Sequence, residues 1–387
     1  MGRGCECRED QKYRRRWREC PSRQVRYCIA QMRLVRGFAM LGGLLTALCP
    51  PNAVAQERLA IRSDVLLYGD NTEFRNDFRE GETIFGAALR VAAFIELDER
   101  VSVSLGVFGN QRFGSGQAFE QVRPVIALTV RGNRSSFLFG TLPAPSVDAP
   151  AGPDRGGPHG LLPPLQRETL AYERPYEAGL AWTFTGRAIR HDFWLEWQKL
   201  NTPDHRERFD GGLNASVRVT EHLAIPLQLH VVHEGGQLHA SGAVADSVAA
   251  ATGVDLHGTV GAYRASVELL GLISRHVPDR SCGDLSRDGA AFFGRVSGER
   301  SGWRGHLIFW RGRHFIKDEG DLNYLSIRRS GERYAGIRDY AEAGLTRRFS
   351  LSPSAMLEAS GRIHRIENRY EYSYRVVSVV SSFWRMR

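Results

Sequence analysis

The last stretch of the chain, YEYSYRVVSVVSSFWRMR, separates into two lists when read at every second position. Tyr370, Tyr372, Tyr374, Val376, Ser378, Val380, Ser382, Trp384 and Met386 fall on one, and Glu371, Ser373, Arg375, Ser381, Arg385 and Arg387 on the other. Side chains alternate across a strand, so one face is apolar and the other charged. On the apolar face the rings stand at both ends with aliphatics between them. That order is expected where Tyr and Trp settle at two membrane–water boundaries around hydrocarbon. An amphipathic strand of a soluble sandwich alternates as well, so the rest of the chain has to decide.

The alternation recurs. In LRVAAFIEL, Leu89, Val91, Ala93, Ile95 and Leu97 oppose Arg90 and Glu96; in LNASVRVT, Leu213, Ala215, Val217 and Val219 oppose Asn214, Ser216, Arg218 and Thr220. LAIPLQLHV sets Leu223, Ile225, Leu227, Leu229 and Val231 against Gln228 and His230, at the cost of one ladder hydrogen bond at Pro226. MLEASGRIHR sets Leu357, Ala359 and Ile363 against Glu358, Ser360, Arg362 and His364. These are strands with one wet face.

Short turns are expected near Asp98 to Arg100, Gly132 to Arg134, Gly186, Glu221, Gly258, Gly298 to Ser301 and Leu351 to Pro353. Between them lie longer polar connections at 69–81, 111–120, 142–167, 200–207, 235–246, 272–287 and 317–335, and a short one at Glu367 to Arg369. With Ser247 to Leu256 read as a weak extra strand, this gives about 16 strands, 14 or 18 being the alternatives. The fold class is all-β, a closed antiparallel transmembrane β-barrel. A closed sheet pairs every backbone N–H and C=O in hydrocarbon and gives each face its own solvent.

The N-terminus changes how the charge is read. Residues 1–31 hold four of the six cysteines and a run of arginines, and are expected to be an upstream extension from a misplaced start; a basic metal- or nucleic-acid-binding arm is the alternative. Residues 32–55 have the charged, apolar and small-residue order of a secretory signal, with cleavage between Ala55 and Gln56. A lipoprotein signal ending at Cys49 competes with this, but Leu48 stands where a small residue is wanted. The barrel would then be residues 56–387. Over the whole chain 52 Lys or Arg face 43 Asp or Glu, but residues 1–55 carry 11 and 4 of these, which leaves a net charge of +2. Nucleic-acid binding loses its support with that segment. Only Cys282 remains after residue 55, so no internal disulfide framework exists there.

With the signal, the paired strands and the aromatic-rich last strand in view, the chain resembles Gram-negative outer-membrane barrels of porin type over nearly its whole length. LLYGDNTEF, WQKLNTPDHRERFD and FWRGRHFIKDEGDLNY are similar to stretches of an uncharacterised group of outer-membrane proteins. Such barrels usually end on an aromatic read by the insertion machinery; here Phe383 and Trp384 are followed by Arg385, Met386 and Arg387. The resemblance implies a bacterial outer-membrane location, surrounding lipid and lipopolysaccharide, and the barrel-insertion machinery as an assembly partner. It implies small solutes in the lumen and no cofactor or enzymatic activity, and it leaves homo-oligomerisation open.

The expected function is therefore a channel for passive or substrate-selective passage of small solutes. A non-transporting surface-structural or export-assembly barrel is the alternative. Expected lumen-lining residues are Arg90, Glu96, Arg218, Glu268, Arg295, Arg304, Glu342, Arg348, Glu358, Arg362 and Arg375. Their arginine excess points to weak anion preference, against a salt-bridged wall as the alternative. The Pro- and Gly-rich 142–167 connection is a candidate constriction, with Asp154, Arg155 and His159 as its charges. Other constellations are weaker. LHASG supplies His239 and Ser241 without a supporting motif, and His230, His233, Glu234 and His239 lack metal-site spacing. Asp318, Glu319, Asp321 and Asn323 depart from a calcium loop. Trp182, Phe184, Phe193, Trp197, Trp303 and Phe309 are expected in the lipid-facing belt.

Overall fold

The computed structural model describes residues 59–143 and 157–386. The expected upstream extension, signal segment and cleavage site lie outside the described residues, as do Asp154 and Arg155. Sixteen strands form a closed barrel in chain order. They are β1 (Leu59–Arg75), β2 (Glu80–Glu96), β3 (Val101–Arg112), β4 (Gln121–Arg131), β5 (Ser135–Thr141), β6 (Ala178–Thr185), β7 (Ile189–Lys199) and β8 (Glu207–Arg218). β9 (Leu223–Gly235), β10 (Ala245–Val260), β11 (Tyr263–Val277), β12 (Arg287–Arg300), β13 (Trp303–Arg313), β14 (Ile337–Ser352), β15 (Ala355–Ile366) and β16 (Arg369–Arg385) complete it.

The apolar face points outward. Tyr372, Tyr374 and Val376 of β16 are exposed, as are Val217, Leu229, Trp182, Trp197, Trp303 and Phe309. No second layer of the described residues covers them, and the closed single sheet excludes the soluble-sandwich reading.

Several strand ends differ from expectation for local reasons. The 69–81 connection is mostly strand, because the Asn76 side chain accepts the Phe78 and Arg79 amides and turns the chain within a few residues. The weak segment Ser247 to Leu256 lies inside β10, a 16-residue strand paired to both neighbours. Its turn falls at Gly261, φ +60°, rather than at Gly258. The 272–287 connection shortens because β11 continues to Val277. Pro226 does disturb its ladder. The β9–β10 ladder is interrupted between Thr252↔Leu227 and Asp255↔Ala224 with its register unchanged, and the Thr252 hydroxyl donates to the Pro226 carbonyl at 2.9 Å.

β5 and β6 are the shortest strands, with 7 and 8 residues. After Thr141 the chain leaves the wall and turns inward. Leu142 is buried, and its carbonyl accepts from Arg90 Nη1 at 2.7 Å. Residues 157–177 then lie inside the barrel, including a single helical turn, α1 (Leu170–Glu173). Leu161, Leu162 and Leu165 of this segment pack in one buried cluster with Trp194, Trp310, Phe293 and Leu270 of the wall and with Phe315 and Tyr324 of the β13–β14 connection. The lumen is therefore filled by two connections, which bury apolar area on the inside of the sheet.

Candidate functional site

The inward segment is held from both sides. On one wall the Asn214 side chain donates to the His159 and Gly160 carbonyls at 3.0 and 3.1 Å, and the Leu162 amide donates to Gln228 Oε1 at 2.8 Å. His159 stacks on Trp194 with centroids 3.8 Å apart and pairs with Glu177 at 2.9 Å. Burial disfavours its charged form, but the Glu177 and Asp192 carboxylates outweigh that and push its pKa up to about 10. Across the lumen, Glu168 Oε2 lies 3.1 Å from both Arg362 and Arg375. Arg375 also binds Asp70, and Arg362 lies 3.7 Å from Glu342. Three carboxylates thus share two guanidiniums. Burial pushes the Glu168 pKa up to about 7 although both arginines pull it down.

All of the expected lumen-lining residues lie on the inward faces of their strands. Most of their charges meet partners. Arg295 pairs with Glu268 at 2.5 Å, Arg304 and Arg348 both approach Glu358 at 3.5 Å, and Arg90 is held by the Leu142 carbonyl. Glu96 and Arg218 remain exposed near the short-turn end of the barrel. This is a network that joins wall to plug rather than a ring of free charge.

Within it lies an arrangement that the sequence did not reveal. Ser373 of β16 and His364 of β15 face inward, and their Oγ and Nε2 are 2.8 Å apart. On the other side of the ring, His364 Nδ1 is 2.7 Å from the Tyr340 hydroxyl and 3.4 Å from Glu342 Oε2. Tyr340 donates to the same carboxylate oxygen at 2.5 Å, and His306 Nε2 lies 2.8 Å from Glu342 Oε1. A hydroxyl, an imidazole and an orienting carboxylate at these distances are the parts of an activated serine nucleophile. Arg362 lies directly across the ladder from Ser373, and its buried Nε has no acceptor among the described residues. The group is buried, and Tyr324 of the β13–β14 connection packs on Tyr340 at 4.6 Å.

The alternation had put Ser373 and His364 on charged faces. Their meeting depends on the β15–β16 register, which brings the diagonal pair together and which no local motif announces. The weaker constellations separate. Ser241 Oγ donates to the Thr202 carbonyl rather than to His239; His230 pairs with Asp210 at 2.8 Å and His233 with Asp246 at 2.7 Å. No metal-ligand group occurs among the described residues. In the acidic connection, Asp321 is taken by Arg79 at 2.6 Å and Glu319 by Arg167, Arg174 and Arg208.

A closed antiparallel barrel with an apolar outer wall and a polar, filled interior defines a bacterial outer-membrane protein surrounded by lipid and lipopolysaccharide. Solved structures similar to it include OmpT of Vibrio cholerae lacking loop L8, with 10% identity over 84% of this chain and 99% of that one, TM-score 0.52. OccK8 (OprE) of Pseudomonas aeruginosa is 11% identical over 85% of this chain and 99% of that one, TM-score 0.50. At such identity they show the fold alone. No curated protein matches the sequence. Residues 51–386 match the family described as lipid A 3'-O-deacylase-type, and the chain belongs to that family. The family is named for an enzymatic activity, so the expectation of a non-enzymatic barrel is corrected.

Proposed function

We propose that this protein is an outer-membrane acyl-ester hydrolase acting on an acylated saccharide lipid, with Ser373 as nucleophile, His364 as base and Glu342 as the orienting carboxylate. The observation that carries this reading is the 2.8 Å contact between Ser373 Oγ and His364 Nε2, backed by Glu342 and Tyr340 on the far side of the imidazole. Membership of a deacylase-type family supports the reaction class. Ser373 Oγ would attack the ester carbonyl while His364 takes its proton; the proton then leaves with the departing alcohol, and water attacks the acyl-serine to release a fatty acid. The Arg362 Nε–H is the candidate donor to the tetrahedral oxyanion, a contribution of about 10²–10³ in rate where such donors are removed. Admission of substrate requires the β13–β14 connection to lift Tyr324 from Tyr340.

The channel with weak anion preference is the other reading. Against it stand the filled lumen and the pairing of most inward arginines with carboxylates.

The test is turnover of a p-nitrophenyl decanoate and of an O-acylated glucosamine disaccharide by the detergent-purified barrel. Ser373→Ala and His364→Gln should each lower turnover by about 10³-fold or more, while the heat-modifiable gel shift of the folded barrel persists. Wild-type turnover in Ser373→Ala would remove Ser373 from the role. No ester turnover together with steady conductance in planar bilayers would favour the channel.

A further inference from the structure

Ser373, His364, Tyr340, Glu342 and His306 lie on four consecutive strands, β16 back to β13, and their hydrogen bonds fix where the protons sit. An ionised carboxylate can only accept. Glu342 therefore takes the Tyr340 hydroxyl proton on Oε2 at 2.5 Å and the Nε2–H of His306 on Oε1 at 2.8 Å. A hydroxyl has one hydrogen, and this one is given to Glu342. The Tyr340 oxygen then accepts at its 2.7 Å contact with His364, and Nδ1 of that ring is the donor. A neutral imidazole carries one N–H, so the lone pair of His364 falls on Nε2, where the Ser373 hydroxyl stands at 2.8 Å. The 3.4 Å separation between His364 Nδ1 and Glu342 Oε2 is longer than a good N–H···O bond, so the tautomer is set through Tyr340.

This chain of bonds needs a fixed Glu342. Arg362 approaches it only to 3.7 Å and is drawn to Glu168 at 3.1 Å. His306 is the closer holder. Its side chain is fully buried, and its Nδ1 makes no hydrogen bond among the described residues, so its proton belongs on Nε2 towards Glu342. Room for the ring is kept on the neighbouring strand. Gly344 stands directly across the β13–β14 ladder from His306, and a Cβ there would lie 2.2 Å from His306 Cε1 and 2.6 Å from Nε2. Gly344 does not have the positive φ that calls for glycine. Its missing side chain lets the imidazole lean across to Glu342, two residues along on the same face.

We propose that His306 is the distal positioning residue of the serine site: seated on Gly344, it fixes Glu342 and, through Tyr340, sets the tautomer of His364 that can accept the Ser373 proton. The catalytic consequence rests on the hydrolase reading; the arrangement of protons does not.

The experiment uses the full chain, refolded in detergent with isotopically labelled nitrogen in its histidine rings. Two-bond nitrogen–proton correlations tell which ring nitrogen carries the proton, and His364→Gln identifies the His364 signals. Wild type should show His364 in the Nδ1–H form. His306→Ala, Gly344→Ala and Tyr340→Phe should each turn it into a mixture of tautomers. Gly344→Ala should add nothing further in the His306→Ala background, because the ring it displaces is gone. In ester turnover, His306→Ala and Gly344→Ala should each lower kcat by about 10- to 100-fold with KM unchanged. His306→Gln, whose amide N–H can reach the same carboxylate oxygen, should recover most of kcat and the Nδ1–H form. All variants are compared as barrels that keep the heat-modifiable gel shift. His364 in the Nε2–H form in wild type would overturn the proposal, and so would an Nδ1–H form unchanged in both His306→Ala and Gly344→Ala. Wild-type turnover in Ser373→Ala would remove the hydrolase reading and with it the kinetic arm, while the ring spectra would still decide the arrangement of protons.

Discussion

His159 fixes one end of the plug, and its charge makes that attachment pH-dependent. The imidazole is 11% exposed, stacked on Trp194 and paired to Glu177. With a folded pKa of about 10 against an ordinary 6.5, linkage gives a ceiling of about 5 kcal/mol for the charged form. Asp192 is 39% exposed and 3.9 Å away, so solvent screening reduces the usable part to roughly 2–4 kcal/mol. The sign follows from a raised pKa on a base. The stabilisation is complete below pH 6.5 and is lost as the pH climbs towards 10. Backbone hydrogen exchange of residues 157–166, divided by the intrinsic rate at each pH, measures it directly. Protection should fall by about 30-fold or more between pH 6.5 and 10, as each 1.4 kcal/mol is a factor of ten, while the strands hold their protection. His159→Gln should begin with low protection and show no such slope. The same slope in the variant, or protection that rises with pH, would refute the argument.

Two substitutions test how plug and wall are built. Arg338→Leu removes a buried guanidinium centred 3.1 Å from the Phe78 ring and bonded to the Asn323 carbonyl at 3.0 Å; it should loosen the β13–β14 connection by about 3 kcal/mol, read as faster exchange of residues 314–336. If the hydrolase reading holds, the same variant should turn over long-chain esters with a lower KM. Gly179→Ala puts a Cβ 1.8 Å from the Leu195 carbonyl oxygen, so β6 cannot close on β7; folding yield in detergent should drop, with a loss of about 3 kcal/mol or more in urea unfolding.

The barrel was legible because its signal is local and repeated. Val217, Leu229 and Tyr372 face outward as alternation required, since a one-residue slip would place every apolar side chain in water. Strand ends were less legible, because they are set by single interactions. The Asn76 side chain that closes the β1–β2 turn and the continuation of β11 to Val277 leave no pattern in hydropathy. The constriction was expected from proline and glycine content, yet of its named charges only His159 belongs to the described residues. Glu168, which lies beyond the expected 142–167 range, is the carboxylate that reaches Arg362 and Arg375. Those three meet from sequence separations of about two hundred residues. Contacts of that kind come from barrel closure and register, which a single sequence does not encode in any window.

The filled lumen and the end of β4 that is left without a β5 partner among the described residues are consequences of one local event. Had β5 and β6 run to the length of β4 and β7, the wall would be continuous and the connection would leave from the rim. Instead the chain departs at Thr141 and returns at Ala178, which brings 157–177 into the barrel at the level of the inward charges. Arg90 helps to set this direction, because it binds the Leu142 carbonyl from inside the lumen. The backbone groups left without a strand partner then need Pro124, Thr141 and Tyr176. Lumen charge and wall edge are therefore linked through Arg90, Pro124, Thr141, Leu142 and Tyr176. Lengthening β5 by four residues and β6 by three, to match β4 and β7, would be expected to extend the pairing and to weaken the plug together.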